Sequence, residues 1–155
     1  MTVDGDAGND EAGYRPPDIT LLGEEHVRRY QETDGEVGYI WNGVPTLLLT
    51  TTGRRSGKLH TTPLIYGRDG DDYLVVASMG GAPKHPNWYG NLVAQPSAQI
   101  QVLAEHVGVT ARTAGEDEKP RLWKIMTDLW PNYGAYQSRT DRVIPVVVLT
   151  PTSRS

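Results

Sequence analysis

The chain reads as a mainly β, α+β domain: a small antiparallel barrel of about six strands with two helices inserted between them. Three observations predict it. Six short runs of aliphatic and β-branched residues recur, turn residues suited to hairpins join most of them, and 17 glycines and 11 prolines punctuate a chain of 155 residues. Antiparallel strands in that number close on one another, which buries both faces and removes free edges. No repeat with a period of roughly 20 to 50 residues is visible, so a solenoid or propeller is not indicated.

The elements follow in order. Residues 1–22 are acidic and poor in large apolar side chains, and are expected to form a disordered arm ahead of one domain over 23–151, with 152–155 as a tail. EEHVRRYQE (24–32) has short-helix character and ends at Asp34-Gly35. PTLLLTTT (45–52) is a strand that the turn 53–57 breaks, and LHTTPLIYG (59–67) is a second, in which Pro63 requires an edge or a bulge. DGDD (69–72) supplies the positive φ of a hairpin turn before the third strand, YLVVAS (73–78). MGGAPKHPN (79–87) is irregular, interrupted by two glycines and two prolines. Pro86 sits in the first turn of the helix NWYGNLVAQ (87–95), and Pro96 ends it. AQIQVL (98–103) and HVGVTART (106–113) alternate apolar and polar residues and pair across Ala104 and Glu105. Residues 116–130 read as a helix with Leu122, Ile125, Met126 and Leu129 on one face; a short aromatic segment, PNYGAYQSRTDR (131–142), precedes the last strand, VIPVVVLTP (143–151).

Composition removes several function classes. There is no cysteine, hence no disulfide, thiolate nucleophile or cysteine-ligated metal. His26, His60, His85 and His106 show no i, i+4 pair, so no metal site is expected, and a hydrolase's G-x-S-x-G elbow is missing. GRRSGK (53–58) has three residues between its glycines where a phosphate-binding P-loop has four. No secretory signal and no apolar run near the roughly 20 residues of a membrane span is present, and a cytoplasmic protein is expected. Phenylalanine is absent beside eight tyrosines and four tryptophans, so every aromatic ring carries a polar handle.

Charge is unevenly placed. The net charge is −4, but ten of the nineteen acids fall in residues 1–36, and between Val37 and Ala104 the only acids are Asp69, Asp71 and Asp72. Arg54, Arg55, Lys58, Arg68 and Lys84 share that stretch, so the middle of the chain is locally cationic. A nucleic-acid binder is usually basic overall; a compact site for a small anion fits better. The 53–58 turn offers glycine-freed N–H groups, two guanidinium forks and an ammonium, which are the parts of an anion cradle. An ordinary solvated hairpin tip has the same composition. ASMGGAPKHPNWYGNL adds a second acid-free loop, where Gly80 and Gly81 permit close approach to the backbone and a helix start directs N–H groups outward. Trp88, Trp130, Tyr133 and Tyr136 could wall a flat ring, although rings at such spacing are more often core.

LLLTTTGRRSGKLHTTPLIY, VVASMGGAPKHPNWYGNL and YGAYQSRTDRVIPVVVL, in that order, resemble the deazaflavin-dependent nitroreductase and quinone reductase family of actinobacteria, over about residues 44–151. The resemblance implies a split β-barrel of the FMN-binding type and the use of reduced coenzyme F-420, an 8-hydroxy-5-deazaflavin with a phosphodiester and glutamates in its tail. By the same resemblance Arg54, Arg55, Ser56, Gly57, Lys58 and His60 would hold phosphate and tail, and Pro63 and Leu64 would flank the cofactor. Ala77, Ser78, Met79, Gly80 and Gly81 would line the deazaflavin, with Lys84, Pro86, Asn87, Trp88, Tyr89 and Asn91 completing the second loop. Ser78, Tyr133 and Tyr136 match catalytic positions on the substrate side, and Trp130 takes the place of a further tyrosine in that pocket. His60 stands where an arginine is more usual, which weakens the expected grip on the tail. The implied reaction is hydride transfer to a small-molecule acceptor: a quinone, an activated enone or a nitro-heterocycle. An FMN-dependent oxidoreductase on the same barrel, and a deazaflavin-binding protein without turnover, are the alternatives. Split-barrel relatives often dimerise, so a homodimer is expected by analogy. EEHVRRYQETDG is too polar for the amphipathic anchor of membrane-associated relatives, which argues for at most peripheral membrane contact.

Overall fold

The computed structural model describes residues 14–152. The element order is α1 (Gly23–Thr33), β1 (Ile40–Trp41), β2 (Val44–Thr52), β3 (Leu59–Ile65), β4 (Gly67–Asp69), β5 (Asp72–Val76), α2 (Asn87–Ala94), β6 (Ser97–Val102), β7 (Glu105–Thr113), α3 (Lys119–Leu129), α4 (Asn132–Ser138) and β8 (Val146–Pro151). Every pairing is antiparallel: β2 with β3 and with β6, β6 with β7, β7 with β8, β8 with β5 and β5 with β4. Since β3 and β4 are one run of chain divided at Tyr66, the ring of pairings returns through it to β2. The strand count exceeds the expected six for two local reasons. The second strand changes neighbour at Tyr66, and Ile40 and Trp41 pair briefly with Pro45 and Val44.

Side-chain alternation builds two cores from the same strands. Leu47, Leu49, Val75, Ile100, Val109, Val147 and Leu149 fill the barrel with Tyr66 and Tyr73. Leu74, Val76, Val146 and Val148 face outward, under Leu122 and Met126 of α3 and Tyr133 of α4. β5 and β8 are therefore buried on both faces, which explains their nearly unbroken apolar runs. Each such side chain contributes about 1.5–3 kcal/mol when fully buried. β3 is bonded to β2 alone, the edge position that Pro63 requires.

α1 ends at Asp34 and Gly35, both left-handed at φ 51° and 85°. It buries only His26 and Tyr30, yet Tyr30 is fully enclosed and ties the helix to the barrel. Its hydroxyl lies 3.0 Å from Thr46 O and 3.3 Å from Gln101 O as donor, and accepts Leu103 N–H at 2.9 Å. That last bond, with one from Gln101 Nε2 to Leu103 O, holds Leu103 left-handed at φ 57°. The β6–β7 turn consequently falls on Leu103 and Ala104, one residue earlier than expected, with Val102 opposite Glu105.

The segment 131–142, a short aromatic stretch to which the sequence assigns no regular element, contains α4: Pro131 starts it, and Asn132, Tyr133 and Ala135 are its buried residues. Residues 1–13 of the expected disordered arm, and 153–155 of the tail, lie outside the described residues. Residues 14–22 are fastened to the body through their backbone. Asn132 accepts from Arg15 N–H at 2.8 Å and donates to Arg15 O at 2.7 Å; Asn42 does the same to Asp18 at 2.7 and 2.9 Å; Trp41 Nε1 donates to Leu21 O at 2.8 Å. Among the described residues no helix is long and apolar enough to cross a membrane.

Replacing Tyr30 with phenylalanine leaves the buried Thr46 O without its hydroxyl donor and Leu103 N–H without its acceptor, so Tyr30→Phe is expected to lower unfolding free energy by about 1–3 kcal/mol, read from urea denaturation.

Candidate cofactor and acceptor site

The turn between β2 and β3 is closed by its own backbone. Gly53 N–H donates to Lys58 O at 2.7 Å and Gly57 N–H to Gly53 O at 2.9 Å, with Gly57 left-handed at φ 73°. A Cβ on Gly53 would stand 2.7 Å from Ser56 Oγ and 2.9 Å from His60 Nε2, so only glycine admits both. α2 docks onto this turn through Asn91, whose Nδ2 donates to Thr51 Oγ1 at 3.2 Å. Its Oδ1 accepts from Arg54 N at 3.2 Å and from Arg54 Nη1 at 2.8 Å, and Nη1 also reaches Asn87 O at 3.1 Å. Arg54 thus joins turn to helix with its backbone N–H and one guanidinium nitrogen, and among the described residues its Nε and Nη2 have no hydrogen-bond partner.

Between these elements lies a trough of about 350 Å³ lined by Gly53, Arg54, Arg55, Ser56, His60, Thr62, Asn87, Trp88 and Asn91. Among the described residues no carboxylate lines it. Among the described residues Arg54, Arg55, Lys58 and Lys84 have no ion-pair partner, because the ion pairs form elsewhere.

Thr62 and Trp88 also belong to a second chamber, of about 440 Å³. Pro63, Leu64, Ser78, Met79, Gly80 and Pro86 line it with Trp41, Trp130, Tyr133 and Tyr136. The ring centroids of Trp41 and Trp130 are 5.6 Å apart and those of Tyr133 and Tyr136 are 6.1 Å apart. Ser78 is 8% exposed and Tyr133 is 5% exposed, and neither hydroxyl has a hydrogen-bond partner among the described residues. Burial, and secondarily Tyr136, push the Tyr133 phenol well above its ordinary range, so at neutral pH it is a proton-bearing donor. The floor is a left-handed run, with Met79, Gly80 and Gly81 at φ 47°, 64° and 85°.

Six of the expected residues line neither cavity. Gly57 and Lys58 shape the turn, Ala77 and Gly81 support the floor, and Lys84 is exposed. Tyr89 stacks on His85 at 4.8 Å and bonds Thr113 Oγ1 at 2.7 Å. Sequence reading missed Thr62, Trp41, Thr46, His26 and Leu22, all of which line the chamber. Thr62 was recoverable, since His60, Thr62 and Leu64 share one face of β3. His26 and Leu22 carry no local signal.

Among the described residues the barrel thus opens into a cationic trough lined by no carboxylate, and beside it into an aromatic, hydroxyl-bearing chamber. The model of the F420H(2)-dependent quinone reductase family matches residues 22–151. An F420H(2)-dependent quinone reductase of Mycobacterium tuberculosis is 47% identical over 129 residues, covering 81% of this chain and 87% of that protein. Among solved structures, an F420-H2 dependent reductase is 40% identical, with a TM-score of 0.63 over 68% of this chain and 93% of the other. A domain-swapped dimer is 37% identical, with a TM-score of 0.66 over 81% and 94%. The chain belongs to the F420H(2)-dependent quinone reductase family.

A Cβ on Gly81 would approach Tyr136 O to 2.5 Å at a φ that disfavours side chains. Gly81→Ala is expected to destabilise the fold by about 1–3 kcal/mol, measured by thermal unfolding, because the floor and α4 must separate.

Proposed function

We propose that this protein transfers a hydride from reduced coenzyme F-420 to a quinone, with the cofactor tail in the trough and the acceptor in the aromatic chamber. The observation that carries this reading is that the two cavities adjoin, with Thr62 and Trp88 as shared walls. The donor set suits the cofactor. Guanidinium, imidazole, amide and hydroxyl groups without a competing carboxylate match a phosphate-bearing, polycarboxylate tail. Pro63, Leu64 and Trp88 offer flat apolar walls to a ring system.

When bound, the reduced deazaflavin supplies a hydride. The protein's task is to hold two flat molecules face to face and to stabilise negative charge on the acceptor oxygen. The hydroxyls of Ser78 and Tyr133 are the donors free to do so, and the quinone leaves as the hydroquinone after taking up the hydride and a proton. Trp130 and Tyr136 bound the acceptor space, so they set which quinones enter. The related domain-swapped dimer favours a dimer here as well, which sedimentation of the purified chain decides.

Titration with reduced coenzyme F-420 and with FMN, followed by menadione reduction at the deazaflavin absorbance, tests the assignment. Binding of F-420 tighter than about 100 μM with turnover supports it. A yellow protein preferring FMN, or tight binding without acceptor reduction, defeats it.

Two variants separate affinity from chemistry. Arg55→Ala is expected to raise the cofactor Kd about 10- to 100-fold, the loss of a charge-assisted bond, with unchanged thermal stability. Tyr133→Phe is expected to lower kcat about 10- to 100-fold with little change in cofactor Kd, since its bond strengthens only as charge develops on the acceptor.

A further inference from the structure

The segment that joins α4 to β8, residues 139–145, has no part in the reading above, yet Arg142 grips the chamber floor. Its Nε donates to Ala82 O at 2.8 Å, Nη2 to Ser78 O at 2.7 Å, and Nη1 to Ala77 O at 3.2 Å. Nη1 also lies 3.0 Å from His85 Nδ1. Partial burial, then the charge of Arg142, makes His85 harder to protonate, which keeps that nitrogen an acceptor. Among the described residues no carboxylate pairs with Arg142, so backbone carbonyls are its main counterpart.

The gripped backbone is unusual. Its own bonds are Gly81 N–H to Ser78 O at 2.9 Å and Ala82 N–H to Met79 O at 3.1 Å, around three successive left-handed residues of which one is a methionine. Such a run needs restraint from outside. A planar fork that bridges three carbonyls supplies it, and a lysine ammonium on a flexible stem does not reproduce that geometry.

We infer that Arg142 is a positioning residue for hydride transfer: it touches neither cofactor nor acceptor, but fixes the Ser78 hydroxyl and the 79–81 floor against which the ring would lie. This rests on the function proposed above, and two readouts keep the two separable.

The first needs no cofactor. In Arg142→Lys, amide hydrogen exchange at Gly81 and Ala82 is expected to quicken at least about tenfold, with the β2 and β8 amides unchanged. The second is single-turnover oxidation of the reduced F-420 complex by menadione. Its rate is expected to fall about 10- to 100-fold in Arg142→Lys and Arg142→Ala, while cofactor Kd stays within about threefold. Millimolar guanidinium is expected to restore part of the rate to Arg142→Ala and none to the wild type. Should Arg142→Ala fail to fold, Arg142→Lys carries both measurements. Unchanged exchange at Gly81 and Ala82 overturns the inference, as does a rate loss matched by an equal loss of affinity and not rescued. A wild-type protein that does not oxidise the reduced cofactor sinks the functional reading alone, because the exchange experiment still decides the hold of Arg142 on the floor.

Discussion

The site depends on a change of neighbour at Tyr66. There the chain leaves β2 and continues as β4 against β5, which closes the ring of pairings. Because β5 runs back antiparallel to that stretch, its C-terminal end heads toward the end of the barrel that carries the β2–β3 turn, and the chain that follows brings Asn87 and Asn91 of α2 against that turn. Local contacts hold the bend: Tyr66 N–H donates to Pro45 O at 3.2 Å, and its hydroxyl lies 2.9 Å from that of Tyr39. Gly67 follows for a steric reason, since a Cβ there would be 2.7 Å from Met126 Sδ and would push α3 off the barrel.

Around that frame, charge is sorted by position. Some carboxylates of α1, of the β4–β5 hairpin and at the start of α3 are engaged by nearby cations: Glu25 and Glu32 by Arg28, Asp69 by Arg121, and Glu118 by Arg112. The Arg112 guanidinium, helped by Gly115 N–H, holds the Glu118 carboxyl down to about 2. These pairs are exposed, so each adds little stability. Among the described residues none of these acids lines the trough, whose cations can act on an arriving anion. In the proposed reading affinity resides in the trough and chemistry in the chamber, with Thr62 and Trp88 lining both.

Much of this was legible along the chain. The apolar runs of β2, β5 and β8, the Gly70 turn, the Asp34-Gly35 helix end and the Pro96 stop are all written in neighbouring residues, because alternation and positive φ are local properties. The two loops and the tyrosine pair could be picked out for the same reason. What escaped has distant causes. The β6–β7 turn moved by one residue because a hydroxyl on α1 takes Leu103 N–H, 73 residues away. The backbone of residues 14–22 is secured by Asn42 and Asn132, which lie 24 and 117 residues from the groups they bind. α4 hid behind a glycine and a proline, its stability coming from burial of Tyr133 and Ala135.

By itself, then, the sequence determined the barrel class, the order of its elements and the presence of a cationic, acid-free surface, since composition and periodicity act over a few residues at a time. Only the tertiary structure decided that trough and chamber adjoin at Thr62 and Trp88, that Arg54 spends one guanidinium nitrogen on α2, and that Arg142 holds the floor beneath Ser78. Those facts depend on which carbonyls and side chains the closed ring brings within about 3 Å of one another, and hydrogen bonds of that reach have no signature in a linear chain.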